Sequence, residues 1–394
     1  MKFEVKDQIH FDKKLLLFIW IFLLFIWLLN LLSPLIFKTG RYISDYSDIF
    51  AYYERAKWVV TNEAPLSEYP QIPTYLFGLN EFIASFFDVS VRFAIFYSTT
   101  TFEMIVALFF VIKILFESFP SDRKYRSLLM LLPPALYFVV NRFDILPALL
   151  CLIALKLAQE KKFIFSSIIL AFATFTKWYP ILIFPGIFVY ATSQENKLQW
   201  KMIVFFLITS FLIIIPMYFL GGVETVIFPY QFHTNRGMEF VSMPLLIDNI
   251  LVNFEFISYS QQNIFLFFFI LQILSPLLVL FLQIDTMQRL VSYCIIVISF
   301  FILFSRVNSP QFFLWLMPFL IISIKKKTDI WIIVLYNIVT YLFFPVVFDL
   351  FGTSSIQLIL LGISSYLMLV IIIIRSFIGM SFNVKPIQLK GHFE

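Results

Sequence analysis

From residue 15 to residue 37 the chain carries no charged side chain, and no other feature so narrows what it can fold into. At about 1.5 Å of rise per residue, a helix of that length exceeds the ~20 residues needed to cross a ~30 Å hydrocarbon core. Lipid offers no hydrogen bonds to the backbone, so each run of this kind has to satisfy its own N–H and C=O groups as a helix. Apolar runs recur along the chain, and we place crossings near 15–37, 92–117, 127–140, 144–158, 163–177, 179–193, 201–220, 263–283, 290–305, 311–324, 329–345 and 356–374. With 61% hydrophobic and 13% charged residues and a mean hydropathy of +0.91, no soluble domain fits. The expected fold class is all-α integral membrane: one membrane-embedded domain over 1–394, a polytopic bundle of about 10–13 transmembrane helices.

Charge sets the expected orientation. The chain is net +5, but its cations are scattered through short loops: Lys2, Lys6, Lys13 and Lys14 before the first run, then Arg123, Lys124 and Arg126, and later Lys325, Lys326 and Lys327. That distribution is a topology signal, with basic loops cytoplasmic, and gives no reason to expect nucleic acid. The first run is longer than a signal-peptide core and no small-residue cleavage site follows, so it is expected to stay as a helix with its N-terminus cytoplasmic. Segments 73–88 and 244–259 are apolar but broken by Asn80, Glu81, Asp248, Asn249 and Glu255. They read as interfacial or half-inserted helices, and the charge rule requires that 73–88 does not cross. Cys151 and Cys294 sit in apolar runs and read as small core residues.

Under this topology the polar islands gather on the face opposite the cytoplasm. They are a first loop at 38–72, Asn141 to Asp144, Thr176 to Pro180, a second loop at 221–262, and Arg306 to Gln311. Several flanking runs are too short to cross unaided, so their turns are expected to lie recessed. The first island contains Asp45 and Asp48. A helix starting near Ser47 would align Asp48, Tyr52 and Arg55 on one stripe, with Asp45 or Ser47 as its N-cap. A carboxylate at a lipid–water boundary is a candidate general base. The other islands supply cations suited to a lipid-linked phosphate, namely Lys177, Arg236, Arg306, Arg142 and His233.

These residues carry a resemblance. Ser47-Asp48-Ile49-Phe50-Ala51-Tyr52-Tyr53 followed by Glu68-Tyr69-Pro70, then Arg142-Phe143-Asp144, Thr176-Lys177-Trp178-Tyr179-Pro180, His233 to Glu239, and Ser309 to Pro318 resemble in order the polyprenyl-phosphate-sugar-dependent mannosyltransferases of the GT-C superfamily. The first loop is also similar to that of the first mannosyltransferase of GPI-anchor synthesis. Tyr69-Pro70 lacks a second adjacent proline, and Asn141-Arg142 stands where Gly-Gln is common. The resemblance implies a GT-C-like bundle with interfacial helices on the extracytoplasmic face, in a cell membrane or, in a eukaryote, the endoplasmic reticulum. It implies a polyprenyl-phosphate sugar donor, a glycan or glycolipid acceptor, and Asp48, with Asp45 second, as the base of an inverting hexosyl transfer, mannosyl first. Lys177, Arg236, His233 and Arg306 would bind the donor phosphate; Tyr52, Arg55, Arg142, Asp144, Tyr179 and Gln311 would contact substrate. No cofactor is implied, and a divalent metal is dispensable though not excluded. A polytopic transporter or flippase for lipid-linked sugars and an O-antigen-type polymerase or ligase remain alternatives.

Overall fold

The computed structural model describes residues 2–36, 45–61, 63–118, 123–239, 241–253, 261–352, 355–378 and 380. Among them the regular structure is entirely helical. Among the described residues six helices are long and apolar enough to cross a membrane: Asp12–Leu32, Val89–Ser118, Trp200–Asn235, Asn263–Leu280, Lys327–Phe351 and Ile356–Ile378. The chain is thus an all-α polytopic membrane protein. A seventh span arises if Pro133–Asn141 and Ile145–Gln159, which meet at 106°, are taken together.

The expected dozen crossings therefore fall into two groups. The remaining apolar helices, such as Phe163–Thr176, Met287–Leu303 and Phe313–Ser323, are shorter. They are also more deeply buried. Every residue from Leu290 to Ser299 and from Phe313 to Ile321 is buried, whereas only 17% of the first span is. A helix that is apolar all round belongs in a core. Because other helices rather than lipid surround it, it can end short of the bilayer surface without stranding backbone groups in hydrocarbon. The polar turn between Pro133–Asn141 and Ile145–Gln159 is buried within the protein: Asn141 and Asp144 are 0% exposed and Arg142 is 5%.

Three local departures bear on the site. The crossing expected over 127–140 is a 3₁₀ turn at Lys124–Leu131 followed by a helix that starts on Pro133, a residue suited to the first helical turn. The helix expected to end at 220 continues to Asn235 beyond a break at Gly221 and Gly222, so the first part of the second loop is helical. Gly222 takes φ of 73°, which glycine adopts without a Cβ penalty. Segment 73–88 forms the Gln71–Ala84 helix, about 21 Å long and too short to cross. Of the other half-inserted segment, 254–260 lies outside the described residues, as do 38–44 of the first loop.

Candidate functional site

Arg142 and Lys177 are placed by the same local device. Each follows the last residue of a buried helix and adopts an extended backbone, Arg142 at φ −145°, ψ 151° and Lys177 at φ −157°, ψ 146°. Pro147 and Pro180 follow within a few residues. Each cation thereby leaves its helix axis and meets a buried carboxylate. Lys177 Nζ is 2.6 Å from Asp144 Oδ1, which also accepts a 2.7 Å hydrogen bond from Trp315 Nε1. The Lys177 ammonium lies over the rings of Phe143 and Trp315, 4.7 and 5.3 Å from their centroids.

The first loop docks on Arg142. Its Nη2 bonds Asp45 Oδ2 at 3.0 Å and its Nε lies 2.6 Å from Asp48 Oδ2. The two aspartates differ in environment. Asp45 is 2% exposed; its other oxygen accepts from the Ser47 amide and hydroxyl, and its own amide donates to Asn141 Oδ1. Asp45 therefore anchors the start of the Ser47–Ala56 helix, by bonding Ser47 rather than from the N-cap position, which Tyr46 occupies. Asp48, one turn on, keeps 38% of its side-chain surface open. Among the described residues nothing bonds its second oxygen.

These environments shift the two carboxyls in opposite directions. Burial pushes Asp45 up, but the Arg142 charge and the bonds from Ser47 and Arg142 outweigh it and leave the group below the ordinary carboxylate range. Burial also pushes Asp48 up, the Asp45 and Asp144 charges add to the rise, and Arg142 and Lys177 only partly oppose it. Asp48 is the more basic of the two.

A third wall comes from the end of the Trp200–Asn235 helix and the turns at 236–241 and 305–311. Trp178 stacks on Tyr230 at 4.9 Å, and His233 Nε2 is 3.0 Å from the Glu68 carbonyl oxygen. Arg236 pairs with Glu239, whose other oxygen accepts from the Asn308 amide at 3.1 Å. Arg306 donates to the Thr234 and Arg236 carbonyls and lies over the Phe265 ring. Among the described residues Arg306 pairs with no carboxylate.

These pieces enclose one cavity of about 1020 Å³. All five polar islands contribute to it. Asp48, Tyr52, Arg142, Lys177, Tyr179, His233, Arg236, Arg306 and Gln311 line it, whereas Asp45, Asp144 and Arg55 do not. Asp45 and Asp144 sit behind the lining cations, and Arg55 is spent on Glu68 at 2.7 Å. Tyr52 reaches the cavity but is 2% exposed and stacks on Phe77 at 4.6 Å; it turns inward with Ile49 and Ala56 rather than sharing an open stripe with Asp48 and Arg55. Tyr179 is likewise packed, face to face with Trp315 at 4.3 Å. Much of the remaining lining is apolar, with Phe269, Phe301, Phe343, Phe348 and Leu358 beside the Phe265 ring that carries Arg306.

The sequence reading missed Glu239 and Trp315 as supports of Arg236 and Asp144. Both lie in segments that carry the resemblance, but nothing local marked their roles: Arg236 to Glu239 is not helical, so their three-residue spacing does not by itself pair them, and Trp315 is one aromatic in an apolar run. Cys151 and Cys294 are buried free thiols. Among the described residues no group of three or more His, Cys, Asp or Glu is placed to hold a metal ion. What fold and site together define is a helical membrane protein with an amphipathic, charge-lined pocket. No protein-family model matches the chain, and no curated protein matches its sequence.

Proposed function

We propose that the protein is a GT-C-like membrane glycosyltransferase that moves a hexose, mannose first among candidates, from a polyprenyl phosphate to a hydroxyl of a glycan or glycolipid acceptor. The observation that carries this reading is the cavity's composition: an open, basic carboxylate, an unneutralised arginine and apolar lining in one pocket. Asp48 accepts the proton of the acceptor hydroxyl. That oxygen bonds the anomeric carbon as the bond to the phosphate oxygen breaks, the electron pair leaves with the phosphate, and the configuration inverts.

The cations divide by what already neutralises them. Lys177 is matched by Asp144 and Arg142 by the two aspartates, so they shape the pocket's field. Arg236 is matched by Glu239, and Arg306 beside it is left to meet the phosphate. Charge grows there as the bond breaks, so a cation fixed in advance stabilises the transition state more than the ground state. Burial and the Arg236 charge both lower the Arg306 pKa, a strain that an incoming phosphate relieves. His233 borders the same wall, and the apolar lining suits a polyprenyl chain. Under the charge rule the N-terminus is cytoplasmic, the site faces the opposite side, and the short buried helices complete a larger bundle in a cell membrane.

The test is transfer of labelled sugar from polyprenyl-phosphate mannose, then other polyprenyl-phosphate hexoses, in membranes holding the parent or its Asp48→Asn variant at equal levels. Transfer by the parent that falls at least ~100-fold in the variant is expected of a lost general base. Equal transfer by both removes Asp48 from the chemistry, and no transfer from any donor turns the reading toward a transporter or polymerase.

A further inference from the structure

We propose that a groove between the first helix and the Val89–Ser118 helix is a binding site for an anionic phospholipid of the bilayer. The two helices run antiparallel: Trp20 packs on Phe109 at 5.0 Å, Trp27 on Phe102 at 5.4 Å, and Asn30 bonds the Tyr97 hydroxyl. Between them lies a cavity of about 460 Å³. One wall is the stripe Lys13, Leu16, Leu17 and Trp20; the other runs from Phe102 through Val106 and Phe110 to Lys113. Both stripes have helical spacing, so each presents a continuous face.

The lysines lie level with one another. Trp20 sits against Phe102 and Phe109; Lys13 is about seven residues from Trp20 and Lys113 about seven from the midpoint of that phenylalanine pair, each roughly 10 Å toward the same end of the bundle. Beyond them the lining is aliphatic or aromatic, without a polar side chain. Two cations at the mouth of an apolar slot match an anionic headgroup with its acyl chain, and a zwitterionic lipid would leave the charge unmatched. Of the nearby carboxylates one is engaged elsewhere and the other is divided between two lysines, one of them Lys113, so the Lys13 and Lys113 pair keeps a net positive charge. Asp12 pairs with Lys124, and Glu117 is shared at 4.0 and 3.9 Å between Lys113 and Lys156. Lys13 has no carboxylate partner among the described residues. Leu17 is 58% and Phe110 44% exposed, so the slot opens sideways where lipid stands. This site is separate from the cavity at Asp48 and does not depend on the proposed activity.

Native mass spectrometry of the purified protein with phosphatidylglycerol or phosphatidylcholine tests it, alongside Lys13→Gln/Lys113→Gln and the charge-keeping Lys13→Arg/Lys113→Arg. At about fivefold per lysine, the glutamine pair should weaken phosphatidylglycerol retention about 25-fold, with little loss for the arginine pair. Phosphatidylglycerol with brominated chains should quench a component of tryptophan fluorescence that Trp20→Phe removes. Equal retention of both lipids, an unchanged glutamine variant, quenching indifferent to Trp20, or a copurifying polypeptide found crosslinked into the groove would overturn the proposal.

Discussion

Arg142 holds two carboxylates that have very different access to water, and that asymmetry sets the effect of Arg142→Met. Asp45 is 2% exposed and would keep only its bonds to Ser47. Asp48 is 38% exposed and can hydrate in part, so its loss of a partner weighs less than that of Asp45. The destabilisation is then that of one buried charge left unpaired, about 3–5 kcal/mol. Adding Asp45→Asn removes the stranded charge while leaving a group that can still accept from Ser47. The double variant should return to within about 1–2 kcal/mol of the parent, the remainder being lost hydrogen bonding. Unfolding by SDS titration in micelles, followed by circular dichroism, measures all three proteins, and a double-mutant cycle with Asp45→Asn alone extracts the coupling. An Arg142→Met protein within 1 kcal/mol of the parent, or a double variant no better than the single, would refute the assignment of Asp45 as a buried anchor.

At Gly186 an added Cβ would stand 2.3 Å from Tyr293 Cδ1. The Tyr293 hydroxyl is tied to the Leu182 and Pro276 carbonyls, so the ring cannot swing aside, and Gly186→Ala should cost about 1–3 kcal/mol in the same titration; a shift below 0.5 kcal/mol would contradict that packing. The base must be ionised to act, and the Asp48 carboxyl is raised above its ordinary 3.8. Sugar transfer should therefore decline as pH falls through a midpoint above 3.8, on a limb absent from the residual rate of Asp48→Asn. Asp45 has the opposite sign: its folded-state pKa is lowered, so the stability it contributes is present above its ordinary value and lost only as pH falls through the lower folded one. Parent protein should lose that increment between those limits in an acid titration of unfolding, whereas Asp45→Asn should not.

Which parts of this protein are legible in its sequence follows from how local the governing physics is. Helix formation in lipid depends on the run itself, so the all-α class and the spans at 15–37, 92–117 and 356–374 could be read directly. The helix beginning at Ser47 and the breaks at Arg142 and Lys177 were also legible, because polar residues and prolines interrupt apolar runs there. Which apolar runs face lipid was not, since a core helix and a spanning helix share one composition. Only packing separates Met287–Leu303, buried on all sides, from the lipid-exposed Trp200–Asn235.

The candidate site divides in the same way. Sequence alone picked out the residues of five separated islands as too polar for their surroundings, because an ionisable group beside hydrocarbon is costly wherever it ends up. Tertiary structure decided what each one does, since a charge is defined by its neighbours. Asp45 and Asp48 are nearly equivalent in sequence, yet one turn of helix makes the first a buried anchor and leaves the second open to the cavity. Lys177 and Arg306 read alike as cations, but Asp144 neutralises one, while the other meets only carbonyls and a phenyl ring. These differences are set by contacts across tens to hundreds of residues, which local composition does not encode.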